Sequence, residues 1–398
     1  MINSPTVRSA VAYGLSGLGF SAGNLLLARS LPPAEYGQIA LFLALIHFAI
    51  PIAPLGLDML IIRNRTRPEK KELLKVLTSG LLLGLAGGGL AAAFYGMSTA
   101  VALTIALCVA FGGANWVAAA TYQSRQRLAP SLLLTQNQNF LLLAIGLALL
   151  FGAPPAGITI VAVITLGFLV SAMLGWARLP GPVDGRRPLA MPSRESMALV
   201  GVAAADMLLT QLDRLLIPLL LSMHDLAVYA VLAATIVAPF RVLQLAAAFA
   251  VAPKISAAAN ATQRKQVLLA EARYILPIVL LSAAAVWWLA PPVISLFVGD
   301  KYEITASLML AGIAAGIAKV ASSFTSAAVA AVAPPEILAR MTGISWIAVP
   351  AAIAIAALLA EYGVAGVVYG VAAGWMFKAL AATALLPRSL RNTPDARA

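Results

Sequence analysis

Long apolar stretches separated by short polar punctuation make up almost the whole chain. The clearest runs from Gln38 to Leu57, where His47 is the only ionisable side chain. An apolar run of about 20 residues crosses a ~30 Å hydrocarbon core as a helix. Read along the chain, the pattern predicts twelve spans, near 10–30, 36–62, 76–96, 99–122, 131–152, 157–177, 196–221, 226–252, 267–290, 304–332, 338–360 and 363–386. Pro130, Pro154-Pro155, Pro291-Pro292, Pro334-Pro335 and Pro387 fall at their edges, as helix breakers do. The expected fold is all-α, a polytopic membrane protein of about 12 transmembrane helices.

The second span carries more than apolar residues. Pro51 and Pro54 lie inside it, and each deletes a backbone hydrogen bond and bends a helix. In lipid such breaks survive only where neighbouring helices or a cavity re-satisfy the backbone. With Pro239 in span 8, these prolines are the candidate hinges. Asp58 lies near the inner end, where a carboxylate inside apolar sequence is costly and seldom incidental.

Composition agrees: 61% of residues are hydrophobic and 11% charged, against about 25% charged in soluble domains. The net charge of +12 would suggest nucleic acid in a soluble protein, but the positions of the charges exclude that reading. With the amino terminus inside, Lys and Arg gather on the cytoplasmic side of alternate loops: Arg63, Arg65, Arg67, Lys70, Lys71 and Lys75; Arg125 and Arg127; Arg178, Arg186, Arg187 and Arg194; Lys254, Arg264, Lys265 and Arg273. The outer side holds only Arg29 and Lys301. This is the positive-inside pattern, with both termini cytoplasmic. The first apolar stretch, Ala10 to Ala28, is too long for a cleaved signal peptide, and more spans follow.

Cofactor and catalytic chemistry find little support. Cys108 is the one cysteine and His47 and His224 the two histidines, so neither an intramolecular disulfide nor a His/Cys metal site is expected. Cys108 reads as a small apolar residue and His47 as a helix-contact histidine. Gly19-Phe20-Ser21-Ala22-Gly23 fits the hydrolase G-x-S-x-G elbow, but that motif needs a strand-to-helix turn. Inside a membrane helix the same glycines fit the G-x-x-x-G packing motif. No P-loop is written in the sequence. No cofactor, metal or enzymatic activity is expected.

The longest polar linker, rich in Pro and Gly, runs from Arg178 to Ser196 and leaves six spans on each side. The expected domains are a six-helix bundle over 1–180, a cytoplasmic linker over 181–195 and a second bundle over 196–398. The halves echo each other. Span 2 follows a tight outer loop with Glu35-Tyr36, and span 8 follows one with Asp225 and Tyr229. Both halves start inside, so the repeat is parallel, a pseudo-two-fold about the membrane normal.

Three stretches also carry a family resemblance. "LLLARSLPPAEYGQIALFLALI" and the following "PLGLDMLIIR" resemble the first loop and second helix of Wzx-type polysaccharide flippases, of the multidrug/oligosaccharidyl-lipid/polysaccharide exporter superfamily. The matching residues are Ala28-Arg29, Leu31, Glu35-Tyr36-Gly37, Gly56-Leu57-Asp58 and Arg63. The segment from Leu208 to Ser256 is similar to spans 7 and 8 of those flippases, with Asp213-Arg214, Tyr229 and Ala252-Pro253-Lys254. "ISLFVGDKYEITA" resembles the outer loop before span 10, with Phe297, Gly299, Asp300 and Tyr302. The resemblance implies two bundles around a central cavity that opens alternately to each side. It also implies a polyprenyl-diphosphate-linked oligosaccharide as substrate, an exopolysaccharide or lipopolysaccharide precursor. The setting it implies is a bacterial inner membrane, with membrane lipid and other polysaccharide-assembly proteins as company.

The candidate site is read from charges inside spans. Arg241, Lys319 and Lys378 each sit about 15 residues from the outer end of spans 8, 10 and 12, or about 22 Å at 1.5 Å per residue. They share one depth, too deep for easy snorkelling. Gly312 and Gly316 precede Lys319, and Gly366, Gly370 and Gly374 precede Lys378, placing both lysines near packed helix faces. These cations are the candidate substrate contacts, and Asp58, Asp206, Asp213, Arg214 and Arg29 are candidates for coupling or pairing. A cation-coupled drug antiporter of the same superfamily is the alternative, though cations outnumber anions among the second half's membrane charges. A membrane glycosyltransferase or polymerase fits less well, since the outer loops are mostly under about 15 residues.

The charge pattern yields a topology test. In a Cys108→Ala background, Lys301→Cys and Glu361→Cys should label with an impermeant thiol reagent from outside intact cells. Labelling of position 301 only after permeabilisation would sink this orientation.

Overall fold

The computed structural model describes residues 5–152, 157–181, 194–258 and 260–391. Pro154-Pro155, most of the expected linker (182–193, with Arg186 and Arg187) and Arg397 lie outside them. The described residues are helical and contain no strand. In order they form α1 (Pro5–Ser30), α2 (Pro33–Ala49), α3 (Leu57–Asn64), α4 (Lys70–Tyr95), α5 (Thr99–Ser124), α6 (Leu128–Leu150), α7 (Gly157–Ala177), α8 (Arg194–Leu220), α9 (Met223–Leu232), α10 (Ala238–Ala257), α11 (Ala261–Val298), α12 (Ala306–Val332), α13 (Pro335–Leu359) and α14 (Gly363–Arg391). Among the described residues, eight stretches are long and apolar enough to cross a membrane. Helices α1, α2, α3 and α8 lie outside those stretches, α2 with 17 residues and α3 with 8.

By packing, the chain forms two compact units, Met1–Ala230 and Val231–Ala398. The boundary falls inside span 8 rather than in the linker.

In the first unit, α4 and α5 lie antiparallel along a glycine ridge. A Cβ on Gly80 would stand 2.7 Å from the Ala110 Cα, and one on Gly88 2.5 Å from the Ala102 carbonyl oxygen. Small residues at four-residue spacing let membrane helices approach this closely. The Gly19/Gly23 motif does the same for α1, where a Cβ on Gly23 would meet the Leu142 backbone of α6 at 2.6 Å.

Span 2 is the point where sequence and structure differ. The sequence predicts one kinked helix. The structure shows a full break over residues 50–56, with helix resuming at α3. Pro51 and Pro54 remove two N–H donors, and Leu55 and Gly56 adopt the left-handed region, φ 53° and 77°, which ends a helix. The break stays hydrogen-bonded. Leu55 N–H reaches the Ile52 carbonyl at 2.9 Å, Leu57 N–H the Pro54 carbonyl at 3.0 Å, and Ser79 Oγ of α4 donates to the Ala53 carbonyl at 2.6 Å. Protein encloses it, since glycines of α5 face it. A Cβ on Gly113 would lie 2.7 Å from the Ala53 Cβ. Short α3 then packs Leu57 and Ile61 against Val76, Val117 and Ala120.

Span 8 bends differently. A π-helical turn, Ala233–Val237, joins α9 to α10, and Pro239 stands in the first turn of α10. The wider turn absorbs the donor that proline lacks, because Ala238 N–H bonds to the Ala233 carbonyl five residues back. In this second unit α12 is central, packed against both α10 and α14.

The enclosure of the break is testable. Gly113→Leu should overpack it and cost about 1–3 kcal/mol. Gly87→Leu on α4, where nothing stands within 4 Å of the added Cβ, should be neutral. Detergent thermal melts compare the two. Equal midpoints would mean that the break does not depend on this contact.

Candidate functional site

The second unit holds all three candidate cations. Arg241 of α10 is exposed, whereas Lys319 of α12 and Lys378 of α14 are 7% and 2% exposed. Gly312 faces Leu232 and Ile236, and Gly316 faces Phe240. This constant offset makes span 8 and α12 parallel and in register. Arg241 therefore stands level with Ile317, about 3 Å in height from Lys319 at 1.5 Å per residue. Arg241 follows Phe240 and so leaves the face that meets α12. On α14, Gly370 faces Ala356 and Gly374 faces Ala352 of α13. Extended one turn, that antiparallel register sets Lys378 opposite Ala348. Its ammonium lies 5.6 Å from the Trp375 ring centroid, a cation–π geometry. Ser322 and Ser326 hydroxyls of α12 and the Trp375 indole N–H are buried without a hydrogen-bond partner among the described residues.

The first unit handles its charges by local pairing. Asp213 of α8, 2% exposed, accepts a hydrogen bond from Tyr229 of α9, and its other oxygen accepts Arg214 N–H at 2.9 Å. Arg214 turns away to Gln211 Oε1, 3.4 Å. The other half of the echo is similar, since Tyr36 Oη donates to Asn24 Oδ1 at 3.4 Å. Both tyrosines are fully buried just after a tight loop and reach back to the preceding helix. The two loops also meet, because Gly37 packs directly on the Met223 carbonyl and leaves no room for a Cβ. Asp58, 7% exposed, opens α3, where its carboxylate takes the backbone N–H groups of Asp58 and Met59. Asp206 is half-buried on α8, and Arg29 is exposed at the end of α1. No cluster of His, Cys, Asp and Glu able to hold a metal occurs among the described residues.

One feature escaped the charge-based reading. Thr135-Gln136-Asn137-Gln138-Asn139 puts five polar residues in the middle of apolar α6. Four consecutive amides cover several faces of a helix, so each meets a different neighbour. Asn139 Nδ2 donates to Ser16 Oγ of α1 at 2.9 Å and Ser16 donates to Gln136 Oε1 at 3.0 Å. Gln138 Nε2 bonds His47 Nε2 of α2, so His47 is a helix-contact residue. Asn137 Nδ2 and Asn115 Nδ2 of α5 each donate to Ser171 Oγ of α7 at 2.7 Å. Cys108 Sγ meets Thr165 Oγ1 of α7 at 3.2 Å. The amide oxygens of Asn115, Asn137 and Gln138 are buried with no hydrogen-bond partner among the described residues. Each such acceptor costs about 1–3 kcal/mol. The polar run itself was the available signal, but its neutrality hid it from a search for charge.

A family model described as "Polysaccharide biosynthesis protein" matches residues 26–307. No curated protein sequence matches the chain. Among solved structures, the chain is similar to the lipid II flippase MurJ in an inward closed conformation, with 14% identity, TM-score 0.64, and coverage of 96% of this chain and 87% of that one. It is also similar to a multidrug resistance MATE family transporter of the MOP superfamily. The inward-facing form gives 15% identity, TM-score 0.60 and 94% coverage of both chains. The outward-facing form gives 14% identity, TM-score 0.57, and coverage of 97% and 95%. At these identities the likeness is one of fold.

The buried Asp213 pair predicts a structural phenotype. Tyr229→Phe removes one donor from a buried carboxylate and should destabilise the protein by about 1–3 kcal/mol. A thermal melt equal to wild type would show that the hydroxyl is dispensable.

Proposed function

The chain belongs to the polysaccharide biosynthesis protein family, and from that we propose that it is a membrane flippase for a polyprenyl-diphosphate-linked oligosaccharide. In this reading two six-helix bundles, 1–180 and 196–398, joined by the cytoplasmic linker 181–195, open alternately to each side of a bacterial inner membrane. Both termini are cytoplasmic. The substrate moves from the inner to the outer leaflet with no covalent change, so no cofactor or catalytic group enters. Membrane lipid and other polysaccharide-assembly membrane proteins are its company.

The observation that carries the reading is the set of three cations, Arg241, Lys319 and Lys378, on the adjoining helices α10, α12 and α14. A diphosphate brings about two negative charges, which cannot enter hydrocarbon unpaired. Arg binds phosphate oxygens bidentately, and Lys offers a compact point charge. The buried lysines supply fixed positive potential, and the exposed Arg241 guanidinium stands within a turn of Lys319 in height. An inside-negative potential then drives the anion outward, at ~2.3 kcal/mol per charge per 100 mV. Contacts of this kind stay weak enough for release. The broken span 2 and the π turn before Pro239 supply the bending points that alternating access requires. The likeness to MATE transporters favours a second reading, a cation-coupled multidrug antiporter. Cations in the interior of the second half repel a cationic drug and so count against it.

In cells lacking the native flippase, Arg241→Ala, Lys319→Ala and Lys378→Ala should each reduce outer-leaflet glycolipid several-fold at normal membrane insertion. Lys319→Arg should keep more activity than Lys319→Gln. Full activity in all three alanine variants would make the cations purely structural.

A further inference from the structure

Helix α4 packs on one face and leaves the other open among the described residues. Gly80, Gly84 and Gly88 meet α5, and Val76 joins the core formed with α3. The opposite face carries Lys71, Leu74, Lys75, Leu82, Leu85 and Gly89. These recur at helical spacing and so fall on one stripe. All six are exposed, Leu74 and Leu82 by 66% and 62%. Nothing stands within 4 Å of a Cβ placed on Gly89. From Leu74 to Leu85 the stripe is about 16 Å long at 1.5 Å per residue, close to half of a ~30 Å hydrocarbon core. Two ammonium groups therefore head an open apolar strip about one leaflet deep.

The cations stand there against local helix preference. Lys70 and Lys71 occupy the first turn of α4, where the helix dipole disfavours positive charge. Lys71 and Lys75 are like charges one turn apart, which is also unfavourable. The helix compensates with a capping box, in which the Glu69 and Glu72 carboxylates accept backbone N–H groups. Lys71 Nζ lies 3.1 Å from a Glu69 carboxylate oxygen, an exposed pair that contributes little. Arg65 and Arg67, exposed in the loop before Glu69, add two more cations at the same end of the helix. Departures from local preference gather at functional sites. The anion that fits this one is an amphiphile, since charge is met at the head of the stripe and apolar surface along it. Clustered cations beside a span attract anionic lipid head groups. A zwitterionic lipid carries its own ammonium and gains less from them. We infer that the open face of α4 binds an anionic phospholipid, with its phosphodiester held by Lys71 and Lys75 and its acyl chains along Leu74, Leu82 and Leu85. In the orientation read from the charges this is a lipid of the inner leaflet. The inference does not depend on what the chain transports.

The test uses the full chain in vesicles of phosphatidylethanolamine and phosphatidylglycerol. Two photoreactive probes, one of each lipid, carry the same diazirine-bearing acyl chain and are compared at equal mole fraction. The phosphatidylglycerol probe should label the Leu74–Leu85 segment several-fold more than the phosphatidylethanolamine probe does. Exposed Leu166, Val170 and Met173 lie on α7, a helix without a charged residue, and should label equally with both. Lys71→Gln with Lys75→Gln should bring the ratio at α4 down to that of α7, with α7 labelling unchanged. Lys71→Arg with Lys75→Arg should keep most of the preference. Equal labelling of α4 by the two probes, or a preference that survives the double glutamine variant, overturns the site. Polyprenyl diphosphate that displaces the label from α4 at far lower mole fraction than unlabelled phosphatidylglycerol overturns the phospholipid as occupant.

Discussion

Hydrocarbon offers no hydrogen-bond partner, so any backbone carbonyl or amide left bare inside a membrane must be met by the protein itself. The break in span 2 depends on this rule. Two prolines and two left-handed residues open the helix at residues 50–56. Ser79 then answers the Ala53 carbonyl, and Gly112 and Gly113 of α5 leave room for the irregular chain. The same glycines on a lipid-facing surface would stabilise nothing. The ridge on α4 belongs to the same solution, because Gly80, Gly84 and Gly88 bring α5 close to the helix that carries Ser79.

The rule also sorts the interior polar groups into two kinds. The first unit places neutral amides and hydroxyls around Gln136–Asn139, mostly bonded to one another across five helices. The second unit buries ammonium groups at Lys319 and Lys378 and exposes the Arg241 guanidinium. A lipid-linked glycan diphosphate presents both chemistries, hydroxyls that need neutral partners and phosphates that need cations. In the flippase reading the cations of the second unit meet the phosphates. The buried tyrosine pairs, Tyr36 with Asn24 and Tyr229 with Asp213, do neither. They fix the tight loops that begin α2 and α9.

Much of this was legible in the sequence because membrane folding leaves coarse signals. Apolar length marked the helices, proline marked the irregular points in spans 2 and 8, and glycine spacing marked the contacts of α12 and α14. Counting along parallel spans predicts similar heights for Arg241 and Lys319, and the register of α10 with α12 sets them about 3 Å apart in height. Four things could not be read. Whether Pro51 and Pro54 bend or break a helix depends on partners distant in sequence, Ser79 and Gly113. The π turn at Ala233–Val237 has no composition of its own. The Gln136–Asn139 network shows only once Ser16, His47, Asn115 and Ser171 are brought from four other helices. Burial of Lys319 and Lys378 is likewise set by which faces of α12 and α14 meet neighbours.

The central claim is that the protein carries an anionic lipid-linked glycan whose movement responds to membrane voltage through its diphosphate. The direct measurement is transbilayer movement of a fluorescent polyprenyl-diphosphate oligosaccharide in proteoliposomes under an imposed potassium diffusion potential. Movement should speed up when the leaflet of origin faces the negative side and slow when the sign is reversed, with an empty-vesicle control near zero. Absence of glycolipid movement at either sign, together with proton- or sodium-driven export of a cationic drug by the same vesicles, would contradict it.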